Sequence, residues 1–114
     1  MILDFTNFSA AQDMINIIMK EKNLSAAEAL NYAINREMYR KVRDNGWTSI
    51  ALQLWGHDDF ERMPTTLDNP LINIEFDKLQ ERLIEDIAEK RDVDNETAVS
   101  YFLLFVMESF DYHI

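Results

Sequence analysis

The hydrophobic pattern in the second half of the chain predicts one short strand followed by a helix. Ile72, Ile74 and Phe76 alternate with polar residues, which is the period of a half-buried strand. Pro70 precedes them and suits the first position of a strand, because proline has no N–H to give to a ladder. From Asp77 onward the apolar residues recur at helical spacing, so an amphipathic helix follows the strand.

Two capping signals divide the helical part of this half. Asp77 stands three residues before Gln80, as in a capping box, and Asp94 is a second N-cap candidate. The segment 98–107 is apolar nearly all round, so the second helix must be buried on several sides. We therefore expect a strand, an amphipathic helix and a buried helix, in that order, between residues 70 and 110.

A fainter copy of this pattern opens the chain. Leu3 and Phe5 are the inward positions of a first strand, and capping signals follow at Ser9 and at Ser25. Matching signals in the two copies lie 68 to 69 residues apart, so we expect one extra residue in the first helix of the second copy. Two amphipathic helix pairs can also look alike by chance, because capping signals recur in many helical proteins.

The chain length favours a single compact domain over residues 1–114. Within it, we interpret 2–43 and 70–112 as the two copies, joined by a short helix and a loop over 44–69. The last helix of the first copy is predicted to run to about Arg43, because Asn-Gly follows shortly after and supplies a turn.

The order strand, helix, turn, helix resembles the ribbon-helix-helix fold of the Arc and MetJ repressors. The segment 70–76 is similar to the ribbon of that family, and 106–110 is similar to its closing helix. The resemblance implies a mainly α fold with a short antiparallel two-stranded β-ribbon, in which residues 2–5 pair with residues 72–76. Two copies in one chain imply a tandem pseudo-dimer.

In that family the outward side chains of the ribbon read base edges in the DNA major groove. The corresponding positions here are Leu71, Asn73 and Glu75 in the second copy and Asp4 in the first. Asn73 has an amide that can read adenine, but Glu75 stands where Arc has an arginine. Neither ribbon contains Lys or Arg, and DNA affinity depends on cations that release counterions. DNA is therefore a disfavoured partner.

The overall charge agrees with this interpretation. The chain has 21 acidic and 11 basic residues and a net charge of −10, whereas a free nucleic-acid binder usually shows a basic stripe. Arg36, Arg40 and Arg43 lie along one face of a predicted helix. That face is either solvated or contacts phosphate or an acidic partner.

The sequence contains no pattern that indicates catalysis or metal binding. There is no cysteine, and His57 with its acidic neighbours in 57–61 lacks the spacing of known metal motifs. We expect a non-enzymatic protein without a cofactor or metal. No apolar run is long enough to cross a membrane, and no signal peptide opens the chain, so we expect a cytoplasmic protein with no membrane partner.

We therefore interpret the chain as an acidic protein-binding module or inhibitor that engages a basic surface of another protein, as a nucleic-acid mimic would. Small acidic inhibitors of phages and mobile elements, including anti-CRISPR proteins, are similar in composition. The predicted contact residues lie on the ribbon, on the acidic helix face and in the middle segment: Asp4, Asn73 and Glu75, then Glu81, Glu85, Asp86 and Glu89, then Trp47 and Trp55. The two tryptophans either anchor the partner or cover the open side of the core.

The alternative is a ribbon-helix-helix transcriptional regulator or antitoxin that binds DNA. Asn73 would read a base, and the helix N-termini near Ser25 and Asp94 would hold phosphates. The arginines between Arg36 and Arg43 would assist. In either case one chain completes its own pseudo-dimer or two chains exchange ribbons as a homodimer.

Overall fold

The computed structural model describes residues 1–34 and 67–109. Its elements in chain order are two short strands, each followed by two helices: β1 (Ile2–Asp4), α1 (Ser9–Lys22), α2 (Ala26–Ala33), β2 (Leu71–Asn73), α3 (Lys78–Arg91) and α4 (Asn95–Ser109). This part of the chain is mainly helical with one two-stranded antiparallel sheet, so the predicted fold class is confirmed. The layout is loosely compatible with a ribbon-helix-helix arrangement.

The sheet joins the two halves of the chain. Its register places three residue pairs opposite one another: Ile2 and Asn73, Leu3 and Ile72, Asp4 and Leu71. The ladder extends past both strands, because the Phe5 N–H donates to the Pro70 carbonyl and the Ile74 N–H donates to the Met1 carbonyl, both at 2.9 Å. The predicted pairing of the two strands is therefore confirmed, although the second strand covers Leu71–Asn73 and so begins and ends earlier than the predicted range 72–76.

The inner face of the ribbon lies on a core to which all four helices contribute. Leu3 and Phe5 are fully buried, and Ile72, Ile74 and Phe76 are buried beside them. Every side chain of α4 from residue 98 to residue 107 is buried, as its apolar sequence predicted. Burying one large apolar side chain contributes roughly 1.5–3 kcal/mol, so α4 supplies much of the stabilisation of the described part of the chain.

Three of the four predicted helix starts are confirmed. The Asp77 carboxylate accepts the Gln80 N–H at 2.7 Å, and the Gln80 side chain accepts the Asp77 N–H, which completes a capping box. Ser25 forms a second capping box with Glu28. Asp94 accepts the N–H three residues ahead, at 2.8 Å. These short polar side chains satisfy N–H groups that a helix start would otherwise leave without partners.

The predicted cap at Ser9 is wrong. α1 begins at Ser9 itself, and its N-cap is Phe8, which makes no side-chain capping bond. Gln12 has a different role, because its buried side-chain amide donates to the Phe5 carbonyl at 2.7 Å and accepts the Leu67 N–H at 3.3 Å. The amide therefore joins the start of α1 to the segment that leads into β2.

Each strand and helix of the first half has a counterpart in the second half at a constant interval. Residue 71 lies 69 positions after residue 2, and the same interval separates 78 from 9, 92 from 23 and 94 from 25. Both α1 and α3 have 14 residues, so the extra residue predicted in the second copy is not present. That shift came from matching Ser9 with Asp77 as helix caps, and Ser9 does not cap α1. The tandem relationship of the two halves stays a prediction.

α2 ends earlier than predicted. It stops at Ala33, well before Arg43, because Ile34 leaves the helical region at φ −97° and ψ 78° and its side chain is buried in the core. The Gln80 side chain donates to the Ile34 carbonyl at 3.3 Å and to Asn31 at 3.0 Å, which holds this end of α2 against the start of α3.

Several predictions fall on residues that the structure does not describe. They concern the basic helix face, the two tryptophans, the histidine cluster, and the helix and loop of the connection: Arg36, Arg40, Arg43, Trp47, Trp55, His57 and most of 44–69. Within residues 1–34 and 67–109, no helix combines the length and apolar character that crossing a membrane requires.

α1 and α3 both end at a residue in the left-handed conformation, Asn23 at φ 55° and Asp92 at φ 52°. In both helices the N–H of the following residue donates to the carbonyl five positions back, at 3.0 Å. This is the Schellman motif, in which the left-handed residue is usually glycine. Asn and Asp tolerate the conformation better than other residues that carry a Cβ.

Replacing Asn23 tests this ending directly. We expect Asn23→Val to lower the free energy of unfolding by about 1–2 kcal/mol, because a β-branched residue is strained in the left-handed region. Asn23→Gly should be at least as stable as the wild type. Urea denaturation of the two variants measures the difference, and equal stabilities would contradict the assigned conformation.

Phe105→Asp tests the assignment of the core. Phe105 is 6% exposed, so the substitution should lower the free energy of unfolding by at least about 3 kcal/mol through an unpaired buried charge. Leu79→Asp is the control, since Leu79 is 42% exposed and lies in the first turn of α3, where a carboxylate is tolerated. Thermal melts should show a large loss only for Phe105→Asp. A wild-type Tm for that variant would contradict the assignment of Phe105 to the core.

Candidate partner-binding face

The outer face of the ribbon exposes five side chains. We call this set the outer ribbon face: Ile2, Asp4, Leu71, Asn73 and Glu75. Their exposure follows from strand geometry, because the residues between them point into the core and successive side chains of a strand alternate. All three ribbon residues predicted as partner contacts therefore lie on one surface.

Sequence reasoning missed Ile2 as a member of this face. Ile2 is 62% exposed and Leu71 is 50% exposed, so two large aliphatic side chains lie among the polar ones. The signal was present in the alternation, since a strand with Leu3 and Phe5 inward must place Ile2 outward beside Asp4. The face is therefore partly apolar, which the charge pattern alone did not indicate.

The register sets how these side chains are arranged. Ile2 lies opposite Asn73, and Asp4 lies opposite Leu71. The backbone hydrogen bonds of the ladder are made by the residues on either side of these pairs. The two pairs are therefore non-hydrogen-bonded pairs, in which the side chains approach closely. Ile2 and Leu71 occupy diagonal corners, roughly 7–8 Å apart between backbones. The two aliphatic side chains can therefore form one apolar strip across the ribbon.

The Asp4 carboxylate is held in place by Thr6. Its Oδ1 accepts both the Thr6 hydroxyl and the Thr6 N–H, the latter at 3.0 Å. The hydroxyl bond first, and the backbone bond second, lower the pKa of Asp4 below its usual range. Asp4 is therefore a fixed negative charge at neutral pH, on the exposed side of the ribbon.

Each free edge of the ribbon has a side chain over one of its N–H groups. The Asp4 N–H donates to the Glu96 carboxylate of α4 at 3.0 Å, and the Leu71 N–H donates to the Asn69 side chain at 3.1 Å. Covered edge groups disfavour the addition of a further strand. Addition of a strand at Asp4 or at Leu71 is therefore disfavoured.

The helix N-termini that the DNA-binding alternative requires are filled by the chain's own side chains. The Ser25 hydroxyl accepts the Glu28 N–H at 3.2 Å, and the Glu28 carboxylate accepts the Ser25 N–H at 3.1 Å. The bond from the Ser25 N–H foremost, and a side-chain bond with Ser25 second, lower the pKa of the Glu28 carboxyl. Asp94 takes the corresponding N–H at the start of α4. A phosphate at either end would meet a carboxylate, which weakens the phosphate-holding hypothesis.

The carboxylates predicted as an acidic helix face lie on α3. Glu85 and Glu89 are exposed, whereas Glu81 and Asp86 are half-buried, and Asp86 forms an ion pair with Lys90 at 3.3 Å. α3 carries four acidic and four basic residues, so the helix as a whole has no net charge. It is therefore a weaker source of negative potential than its carboxylates alone suggested.

The negative charge of the second half lies mainly outside α3. Residues 67–77 and 92–96 together contain six carboxylates and no Lys or Arg. These segments include Glu75 on the outer ribbon face and Glu96 at the edge of β1. Across the part of the chain that the structure describes, no three potential ligand side chains are grouped so as to hold a metal ion.

Comparison of the chain with protein-family models, with curated proteins and with solved structures finds no match.

The pKa of Asp4 provides a test of the geometry around Thr6. Thr6→Val removes the hydroxyl donor, so the pKa of Asp4 should rise toward its usual value while that of Glu28 stays unchanged. NMR titration of the side-chain carboxyls measures both groups. Because the lowered pKa of Asp4 favours the charged folded state, its stabilisation is present above the usual carboxyl pKa and is lost as pH falls through the folded value. An Asp4 pKa that Thr6→Val leaves unaltered would contradict this contact.

Proposed function

We propose that this chain is a non-enzymatic protein-binding module or inhibitor that engages a basic surface of a partner protein through the outer ribbon face. One observation carries the proposal: this face exposes two carboxylates, two aliphatic side chains and one amide, and none of its side chains is cationic. A DNA-reading ribbon needs cationic or neutral polar groups at these positions, because carboxylates are repelled by phosphate. A basic protein surface complements the same charges.

The net charge supports the same class of partner. At −10 the chain sets up a negative potential that speeds encounter with basic surfaces and opposes encounter with nucleic acid. Proteins that hold nucleic acid present such basic surfaces. We therefore favour a nucleic-acid-binding protein as the partner and inhibition by occupation of its basic groove as the mechanism.

The proposal includes a tandem ribbon-helix-helix pseudo-dimer as the scaffold. The constant interval of 69 residues between corresponding elements supports it, as do the equal lengths of α1 and α3 and the matching left-handed ends at Asn23 and Asp92. In such a scaffold each half supplies one strand of the ribbon. A single chain then presents the whole face without a second copy.

A DNA-binding regulator is the second candidate, and one observation favours it. Asn73 is exposed in the middle row of the outer ribbon face, opposite Ile2, where its amide can reach a base edge. The adjoining carboxylates and the occupied helix N-termini oppose this function. We therefore rank it below protein binding.

Removing the ribbon carboxylates tests the first proposal. We expect Asp4→Asn with Glu75→Gln to reduce capture of a basic partner from the native host's lysate by about tenfold, since electrostatic attraction is lost. Glu21→Gln with Asp92→Asn is the matched control, because both carboxylates are exposed, lie off the ribbon and give the same change in net charge. The control should retain the partner. Equal capture by both double variants would contradict a role for the ribbon.

A gel-shift titration with duplex DNA at low salt separates the two candidates. Protein binding predicts no shift with host genomic fragments, because the ribbon repels phosphate. A shift that persists at moderate salt and disappears in Asn73→Ala would support the regulator instead. The variant should remain folded, which circular dichroism checks, since Asn73 is exposed.

A further inference from the structure

We propose that the outer ribbon face recognises a partner segment in which aliphatic side chains lie between two cationic ones, with Ile2 and Leu71 as its anchors. This inference rests on the proposed function and adds the chemistry of the segment that is bound. Charge alone would select any basic surface. The arrangement of aliphatic and charged side chains on the ribbon restricts which basic segments can bind.

The apolar part of the face is unusual for the chain. Among residues 1–34 and 67–109 four large hydrophobic side chains are exposed, and two of them, Ile2 and Leu71, share this small face. Single exposed apolar residues are ordinary, whereas contiguous apolar patches with polar residues around them are typical of contact sites. The diagonal placement across the register lets these two side chains form one strip.

The charged part of the face defines what surrounds that strip. Asp4 lies in the row of Leu71, and Glu75 lies two rows further along, beyond the pair of Ile2 and Asn73. Four residues of strand span about 13 Å, so the two carboxylates stand at opposite ends of the face, with Ile2 in the row between them and Leu71 beside Asp4. The complementary segment has two cations about 13 Å apart and apolar side chains between them.

The strand backbone and the Asp4 carboxylate are already held in position in the unbound chain. Thr6 holds the Asp4 carboxylate through Oδ1, and the inward residues Leu3 and Ile72 fix the strands on the core. The Asp4 carboxylate and the strand backbone then need little further ordering on association, which favours affinity. A purely polybasic segment would leave the aliphatic strip against charged groups, so an amphipathic basic segment fits better.

Two synthetic peptides of equal length and charge test the inference. The first places leucines between two arginine clusters, and the second has serines in place of the leucines. Fluorescence anisotropy should show the wild-type chain binding the leucine peptide at least about tenfold more tightly. Ile2→Thr with Leu71→Thr should remove this preference, so that both peptides bind alike. Leu79→Thr, an exposed leucine off the ribbon, is the control and should keep it.

The outcomes separate the inference from the function on which it rests. If wild type binds both peptides equally and Asp4→Asn with Glu75→Gln weakens both, basic recognition stands and the anchoring role of Ile2 and Leu71 is overturned. If neither peptide binds, or if the carboxylate variant binds as wild type does, both proposals fail. A preference that survives in the Ile2 and Leu71 variant overturns the inference as well.

Discussion

The pairing of β1 with β2 is the constraint on which the rest of the structure depends. Two strands of three residues each are not stable by themselves, and they come from opposite halves of the chain. They stay together because Leu3, Phe5, Ile72 and Ile74 are buried on the core that α4 fills. A slip of one residue would turn these side chains outward and the polar ones inward. The core therefore fixes which residues form the outer ribbon face.

This dependence explains why the fold could be predicted in outline. The alternation in β2, the capping boxes and the all-apolar run of α4 are local signals that agree with the final structure. The exceptions are residues whose partners are distant in sequence. The cap predicted at Ser9 is absent, whereas nearby Gln12 bonds to Leu67. α2 ends at Ala33, just before Ile34, whose carbonyl accepts a bond from Gln80. No local pattern contains those contacts.

The candidate site was predicted in part for the same reason. Strand alternation was enough to place Asp4, Asn73 and Glu75 on one face once the two strands were paired. The diagonal of Ile2 and Leu71 depends on the register, which single-strand patterns do not give. The weaker contribution of α3 follows from its own basic residues, which balance its carboxylates.

The central claim is that a ribbon built from both halves of the chain presents one anionic and partly apolar surface to a basic partner. NMR chemical-shift mapping of the full chain with the basic leucine peptide tests it most directly. The account predicts that the largest changes fall on the amides of the outer ribbon face, on both strands together. Changes confined to α3, or spread evenly over the exposed carboxylates, would contradict it.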